Sequence, residues 1–321
     1  LAAKARSESD WLVGINGTQA LSIAAGHGTY SVGRVQTPTL GMVCERYWEN
    51  RRFTPEAFWQ LHIAVDGNND GTVKLSSSEK WKEKEPATAL YNKVKEIGAA
   101  TVTKAERKEK TEDTPLLYDL TTLQKEANAK HGFTAEQTLE IAQKLYEKKL
   151  ITYPRTGSRY IPEDVFAEIP KLLAFIGALP EWKGKVQAKV QPTRRNVDGS
   201  KVTDHHALLV TGEKPLFLSK EDNTVYQMIA GRMIEAFSEK CVKDTTAVTA
   251  ECAGVEFIVK GSVIRQAGWR AVYGEEDKEE ISIPDWQEGD TLTLKGCSIT
   301  EGKTKPKPLH TDCLLYTSDA A

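Results

Sequence analysis

Tyr153 is the residue around which chemistry is easiest to write. It is followed by Pro154 and, two positions on, by Arg155, inside the run Leu150-Ile151-Thr152-Tyr153-Pro154-Arg155-Thr156-Gly157-Ser158-Arg159. Between residues 144 and 160 the cations Lys144, Lys148, Lys149, Arg155 and Arg159 face a single carboxylate, Glu147. Such a patch attracts phosphate. A phenol beside it suits covalent attack on a phosphodiester. An ordinary phenol is only about 0.1% ionised at neutral pH, so roughly 4 kcal/mol must come from cations or a base before it attacks well. Arg155 is suited to part of that task, because a guanidinium holds two non-bridging oxygens at once. The same residues also suit a packed loop tyrosine, and residue type alone leaves both readings open.

The elements that position this run can be read from periodicity. Thr134 with Gln137 three residues later is a capping box, opening a helix expected to reach about Leu150. At 100° per residue Leu139, Ala142, Leu145, Tyr146 and Leu150 form one apolar stripe, with Gln143 and Glu147 half-buried along its edge. That pair suits a polar border to a packed face as well as a site. Pro154 cannot continue the helix and pushes Tyr153 into an extended conformation at a sharp exit.

Elsewhere, residues 1–52 read as helical, interrupted by the loop from Gly26 to Gly33 and resumed at Pro38. From Phe53 the period becomes two: Trp59, Leu61, Ile63 and Val65 alternate with polar or small residues, and the turn Asp66 to Gly71 leads to a second strand near Val73 and Leu75. Residues 114–240 are helical again, with Gly132, Pro154, Pro162, Pro170, Pro180 and Pro192 marking joints between short helices. Alternation returns at Val255, Phe257, Val259 and Val263. Two-stranded ribbons are marginal alone, so one sheet built from both flanks, with the helical block inserted, is the economical arrangement.

Composition narrows the class. The 321 residues, 40% hydrophobic and 27% charged, suit roughly two globular domains and exclude wholesale disorder. A net charge of −2 carries no global positive field, so any nucleic-acid binding is local. The longest clean apolar stretch, Leu172 to Leu179, falls far short of the ~20 residues that cross a bilayer. Cys44, Cys241, Cys252, Cys297 and Cys313 show no C-x-x-C spacing and read as reduced cytoplasmic thiols. The first residue is Leu1, and a helical pattern begins at once, so a truncated start is expected.

The run from Leu150 to Thr156 closely resembles the active-site motif of type IA DNA topoisomerases, most like bacterial topoisomerase III and its relatives on conjugative elements. Ser31-Val32-Gly33-Arg34-Val35-Gln36-Thr37 is similar to the family's S-x-G-R-V-Q-[ST], Asp204-His205-His206-Ala207 to its D-H-H-A, and Gly268-Trp269 to a strand-end G-W. The likeness runs in order from about Arg6 to Asp312.

This resemblance implies a multidomain α+β toroid, with a gate and arch in which a helical domain is inserted between two halves of a β-rich arch. Residues 1–52 would be a helical base segment, 53–113 arch, 114–240 the tyrosine domain, 241–274 the returning arch and 275–312 the return to the base. The implied activity is cleavage of one DNA strand through a 5′-phosphotyrosyl link, strand passage and religation. Tyr153 would be the nucleophile, Arg155 the phosphate clamp and His205 a donor to the scissile phosphate. Gln143, Glu147, Thr152, Thr156 and His206 would line the site, while Arg34, Gln36, Lys148, Lys149 and Arg159 would contact single-stranded DNA. Transesterification conserves phosphodiester energy, so no ATP is expected, and no G-x-x-x-x-G-K-[ST] loop is present. The implied location is the bacterial cytoplasm at the nucleoid, without membrane contact, with helicase or conjugation proteins as partners.

Three departures accompany the likeness. Gly157 stands where the family commonly has Asp, removing a carboxylate and making the loop more permissive. No D-x-D-x-E cluster occurs, so Mg2+ and the family's toprim domain are expected outside these residues, which are not expected to cleave efficiently alone. Residues 313–321 leave the pattern and are set aside as an artefactual tail. A non-catalytic single-stranded-DNA-binding module remains the alternative, since basic and aromatic residues bind strands without covalent chemistry. The runs Lys104 to Lys110 and Glu275 to Glu280 read as solvated surface. Lys303, Lys305 and Lys307 suit either phosphate contact or a linker, and Trp182, Trp269 and Trp286 suit core or interface positions.

Overall fold

The computed structural model describes residues 2–67, 71–186, 193–202, 204–274 and 282–311. The chain forms two compact units, Leu1–Glu56 with Thr304–Ala321, and Ala57–Lys303. Parts of the Asp66–Gly71 turn, Pro192, the Glu275–Glu280 run, Asp312 and the 313–321 tail lie outside the described residues.

In the first unit α1 (Ala2–Ala25) has no buried residue. α2 (Gln36–Arg51) begins two residues before Pro38, which occupies the first turn, where a missing N–H costs nothing. The Gly33 N–H donates to Thr37 Oγ1 at 3.0 Å, fixing the turn into that helix.

In the second unit six strands close a barrel in the order β1-β2-β5-β4-β3-β6, every neighbouring pair antiparallel. They are β1 (Ala57–Asp66), β2 (Thr72–Ser77), β3 (Ala99–Glu112), β4 (Cys241–Cys252), β5 (Val255–Gln266) and β6 (Thr291–Lys303). The alternating Leu61, Ile63 and Val65 face the core with Val73, Leu75, Val248, Phe257 and Val259. One sheet is thus assembled from both sides of the helical block. The β-rich reading of residues 53–113 missed a helix, α3 (Lys84–Ile97), whose Ala87, Leu90, Tyr91 and Val94 pack on the barrel core at helical spacing.

β3 ends at Glu112 and β4 begins at Cys241, and these two residues are register partners. Everything between leaves and re-enters the sheet at one place. This block holds α4 (Leu120–His131), α5 (Ala135–Glu147), α6 (Glu163–Gly177) and α7 (Lys220–Phe237), the last buried almost throughout Val225–Phe237. Pro170, expected at a joint, lies inside α6, while Pro162 is that helix's N-cap residue. Arg232 on α7 is 7% exposed and ion-paired to Glu126 and, at 3.1 Å, to Glu235, with its guanidinium over the Tyr118 ring. At the re-entry, Gly268 has φ +53, and a Cβ there would lie 2.4 Å from the Lys240 carbonyl oxygen. Only glycine fits that approach.

Candidate active site around Tyr153

The capping box forms: Gln137 N–H donates to Thr134 Oγ1 at 3.1 Å and Thr134 N–H to Gln137 Oε1 at 2.9 Å. Of the expected stripe Ala142, Leu145 and Leu150 are buried, and Thr138 and Ile141 join them; Leu139 is half-buried and Tyr146 exposed. The helix also stops at Glu147, short of Leu150. Lys149 adopts φ 61, the Leu150 N–H bonds to Leu145 O at 2.9 Å and the Lys149 N–H to Tyr146 O at 2.8 Å. That is a Schellman ending with lysine where glycine is usual, sealed by the buried pair Leu145 and Leu150. The chain therefore turns before Pro154 is reached.

Beyond this turn the tyrosine run pairs with the segment carrying the two histidines. Ile151 bridges Val210 and Tyr118 bridges Leu208. The Thr152 N–H donates to Leu209 O at 2.9 Å, and Thr152 Oγ1 accepts from Leu209 N at 3.0 Å. Thr156, 5% exposed, donates its hydroxyl to His205 O at 2.8 Å and accepts from Ser158 N at 3.1 Å. Two threonines thus lace the loop to the histidine segment on either side of Tyr153. Both threonines are expected to line the site, but the pairing has no signature in the sequence, since a bridge of one or two residues leaves no periodicity to see.

Tyr153 is half-buried between two rings. His205 stands 4.5 Å away, centroid to centroid and tilted 50°, and Tyr146 meets it edge-on at 5.3 Å. Among the described residues none hydrogen-bonds the Tyr153 hydroxyl. Tyr146 was assigned to the packed stripe; its place beside Tyr153 has no signature in the spacing. Arg155 is exposed and, like Lys144 and Lys149, has no ion-pair partner among the described residues. His206 is half-buried, with Nδ1 2.7 Å from Ala207 O.

The expected basic patch is thinner than its composition. Lys148 is 3.8 Å from Asp222, and Arg159 Nε donates to Leu117 O at 3.1 Å. Gln143 Nε2 donates to Glu147 Oε1 at 3.2 Å, but only Gln143 is half-buried; Glu147 is exposed because α5 turns that flank to solvent. Gly157 has no positive φ and open space around its Cβ position, so the permissiveness expected of glycine is not used.

Arg34 and Gln36 belong to the other unit. Arg34 grips Asp10 on α1 through Nε at 2.8 Å and Nη2 at 3.3 Å, and that hydrogen bond holds the exposed Asp10 carboxyl below its ordinary range. Asp10 went unremarked in sequence because 24 residues separate the pair. Among the described residues no group of three or more His, Cys, Asp or Glu side chains is placed to hold a metal ion, so the donors present do not fit Mg2+. No disulfide joins the described cysteines, and no described helix is long and apolar enough to cross a membrane.

The family described as DNA topoisomerase matches residues 1–316. The chain belongs to that family, within its type IA, topoisomerase III-like branch. It is 36% identical over 318 residues to DNA topoisomerase 3 of Bacillus subtilis, covering 95% of this chain and 44% of that protein. Against DNA topoisomerase 3 of Bacillus cereus it is 33% identical over 338 residues, covering 98% and 45%. The chain thus spans under half the length of these relatives. The solved structure of full-length topoisomerase I from Thermotoga maritima superposes with a TM-score of 0.75 at 24% identity, covering 99% of this chain and 53% of that one, which establishes a shared fold.

Proposed function

We propose that this chain carries the strand-breaking tyrosine of a type IA topoisomerase acting on single-stranded DNA. The Tyr153 oxygen attacks a backbone phosphorus, the deoxyribose 3′-oxygen leaves, and a 5′-phosphotyrosyl ester holds the end until the reverse attack reseals it. One phosphodiester replaces another, so no ATP is consumed. Strand passage occurs while the ester persists, in a toroidal gate and arch with the helical block inserted in the arch; because β6 (Thr291–Lys303) belongs to the barrel, the return to the base begins at Thr304 rather than at 275.

The observation that carries this reading is the Tyr153–His205 ring contact at 4.5 Å, in a loop laced on both sides to the histidine segment. It sets the phenol beside an imidazole and an unpaired guanidinium two residues away. In the proposed roles Arg155 clamps the non-bridging oxygens and His205 donates to the phosphate. Thr152, Thr156 and His206 fix the loop, Gln143 and Glu147 border it, and Lys149 faces the strand. Lys148 and Arg159 reach DNA only by relaxing the contacts they make here. Arg34 and Gln36 hold single strand in their own unit. Type IA enzymes generally use Mg2+. In this reading the metal and the acid that protonates the leaving oxygen are not supplied by these 321 residues, which alone are inactive. Helicases or conjugation proteins are the partners that fit such an enzyme.

The test is trapping of the covalent adduct on labelled single-stranded DNA with Mg2+, in the chain joined to the rest of its polypeptide. Tyr153→Phe abolishes the adduct and retains strand binding. An unchanged adduct yield refutes the assignment, while binding with no adduct in the unmodified protein favours the non-catalytic module.

A further inference from the structure

α2 ends in two adjacent aromatics, each backed by a guanidinium one turn on. Arg51 lies 5.3 Å from the Tyr47 ring centroid and Arg52 5.0 Å from that of Trp48, while the two rings meet edge-on at 5.2 Å. Both rings are open, Tyr47 at 39% and Trp48 at 51% exposed. Isolated exposed aromatics are ordinary, but rings presented in pairs beside cations are what single-strand binders use.

At 100° per residue, Gln36, Leu40, Cys44, Tyr47 and Arg51 fall within about 80° of one another, so one edge of the helix joins them. All five are exposed. That edge starts at Gln36, in the motif that resembles the family's strand contact, and reaches Tyr47 after about 16 Å. The flank beside this edge, away from Trp48, is occupied. Arg46 Nη1 donates to Pro308 O at 3.2 Å and Asn50 Nδ2 to Lys307 O at 2.7 Å. Glu49 is engaged there by Lys307 at 2.8 Å and Arg46 at 3.1 Å. Glu45 and Glu49 are the carboxylates of this turn; Glu49 is held by Lys307 and Arg46, which leaves Arg51 and Arg52 against Glu45.

We propose that this edge of α2, together with the adjoining flank that carries Trp48 and Arg52, is a stacking track for single-stranded nucleic acid, on which unpaired bases lie against Tyr47 and Trp48 while Arg51 and Arg52 face the phosphates. It rests on the reading that the chain acts on single strands, and it extends the contact from Gln36 along the helix. Charge complementarity selects a polyanion with exposed π-faces over an apolar peptide.

The experiment compares the full chain with its Tyr47→Leu/Trp48→Leu double variant, binding a fluorescein-labelled oligothymidylate and an abasic strand of equal length. Stacking on two rings predicts a loss of about 30-fold or more for the oligothymidylate. Affinity for the abasic strand and the salt slope stay unchanged, because the phosphate contacts remain. Equal loss on both strands, or no loss, overturns the track. A footprint on the unmodified chain does not depend on how the variant folds: bound oligothymidylate slows alkylation of Cys44, and an unchanged rate overturns the proposal. Self-association that the double variant abolishes without any change in strand binding assigns the edge to a second copy and also overturns it. If the unmodified chain binds neither strand, the single-strand reading falls as well. If it binds, and forms adduct when joined to the rest of its polypeptide, while the variant binds equally, the track alone falls.

Discussion

Replacing Thr156 with valine tests whether the tyrosine loop is held by side-chain hydrogen bonds or merely by packing. Valine keeps the branched shape but removes a hydroxyl that donates to His205 O at 2.8 Å and accepts from Ser158 N at 3.1 Å. Ser158 is 4% exposed, so its N–H has little access to replacement water. An orphaned buried donor costs about 1–3 kcal/mol, and the second lost bond adds at most about 1 because His205 is exposed and its carbonyl can be rehydrated. The expected destabilisation is about 2 kcal/mol. With a urea slope of about 2 kcal/mol per molar, the denaturation midpoint falls by about 1 M. Two controls bracket the effect. Thr156→Ser keeps both bonds and stays within about 1 kcal/mol of the unmodified chain. Thr138→Val removes a buried hydroxyl bonded to Thr134 O at 2.9 Å, but that carbonyl still accepts the Thr138 N–H at 3.0 Å, so the cost is below about 1 kcal/mol. Because Thr156 ties the His205 backbone to the loop, the valine variant also lowers adduct yield in the joined protein while the serine variant does not. A valine variant within 0.5 kcal/mol of the serine variant, a margin of about the spread of such measurements, would refute the lacing argument.

Lys149→Gly relieves a left-handed residue at the end of α5 and raises stability by about 1 kcal/mol in urea denaturation; a loss would show that the lysine side chain secures the turn. Gly268→Ala puts a Cβ against the Lys240 carbonyl at 2.4 Å and costs 2 kcal/mol or more, about what forced backbone shifts require, read as a fall in thermal midpoint; a neutral outcome contradicts the close approach. For Glu126, burial pushes the carboxyl up, but Arg232 and the Tyr118 hydroxyl outweigh it and leave it below its ordinary value. Its contribution to stability is therefore whole above the unfolded carboxylate pKa of about 4.3 and is lost as pH falls through the lower folded value. Glu126→Gln should flatten the decline in thermal midpoint between pH 5 and pH 3, and an equally steep decline would dismiss the linkage.

The sequence made the helix start at Thr134 and the alternation of β1 legible because each is a local signal: a capping box in one case, a period of two in the other. The union of both strand-bearing flanks in one sheet followed from the instability of lone ribbons. What escaped was non-local or irregular. The helix end near Lys149 depends on a lysine tolerated where glycine is usual, held by the buried contact of Leu145 and Leu150. The lacing of Thr152 and Thr156 to residues 205–209 joins segments some fifty positions apart through three bonds from Thr152 and one from Thr156. Lys148 and Arg159 were counted as available charge, yet Asp222 and the Leu117 carbonyl engage them, and no composition count reveals a partner. α3 was readable at helical spacing but lay hidden in a stretch whose strands dominated the pattern.

The helical block hangs from the sheet by two chain crossings that are neighbours in one ladder, Glu112 and Cys241. Just beyond β5, Val272 lies in the block's core and Tyr273 packs edge-on against Trp182, so a rotation about the line through those crossings concentrates backbone adjustment at one hem, where the segment after β5 either moves with the block or gives up these contacts. The loop bearing Tyr153 would then travel with its histidine segment as a single piece, its local bonds intact, and any large excursion of the phenol becomes a matter of bending that hem rather than dismantling the pocket.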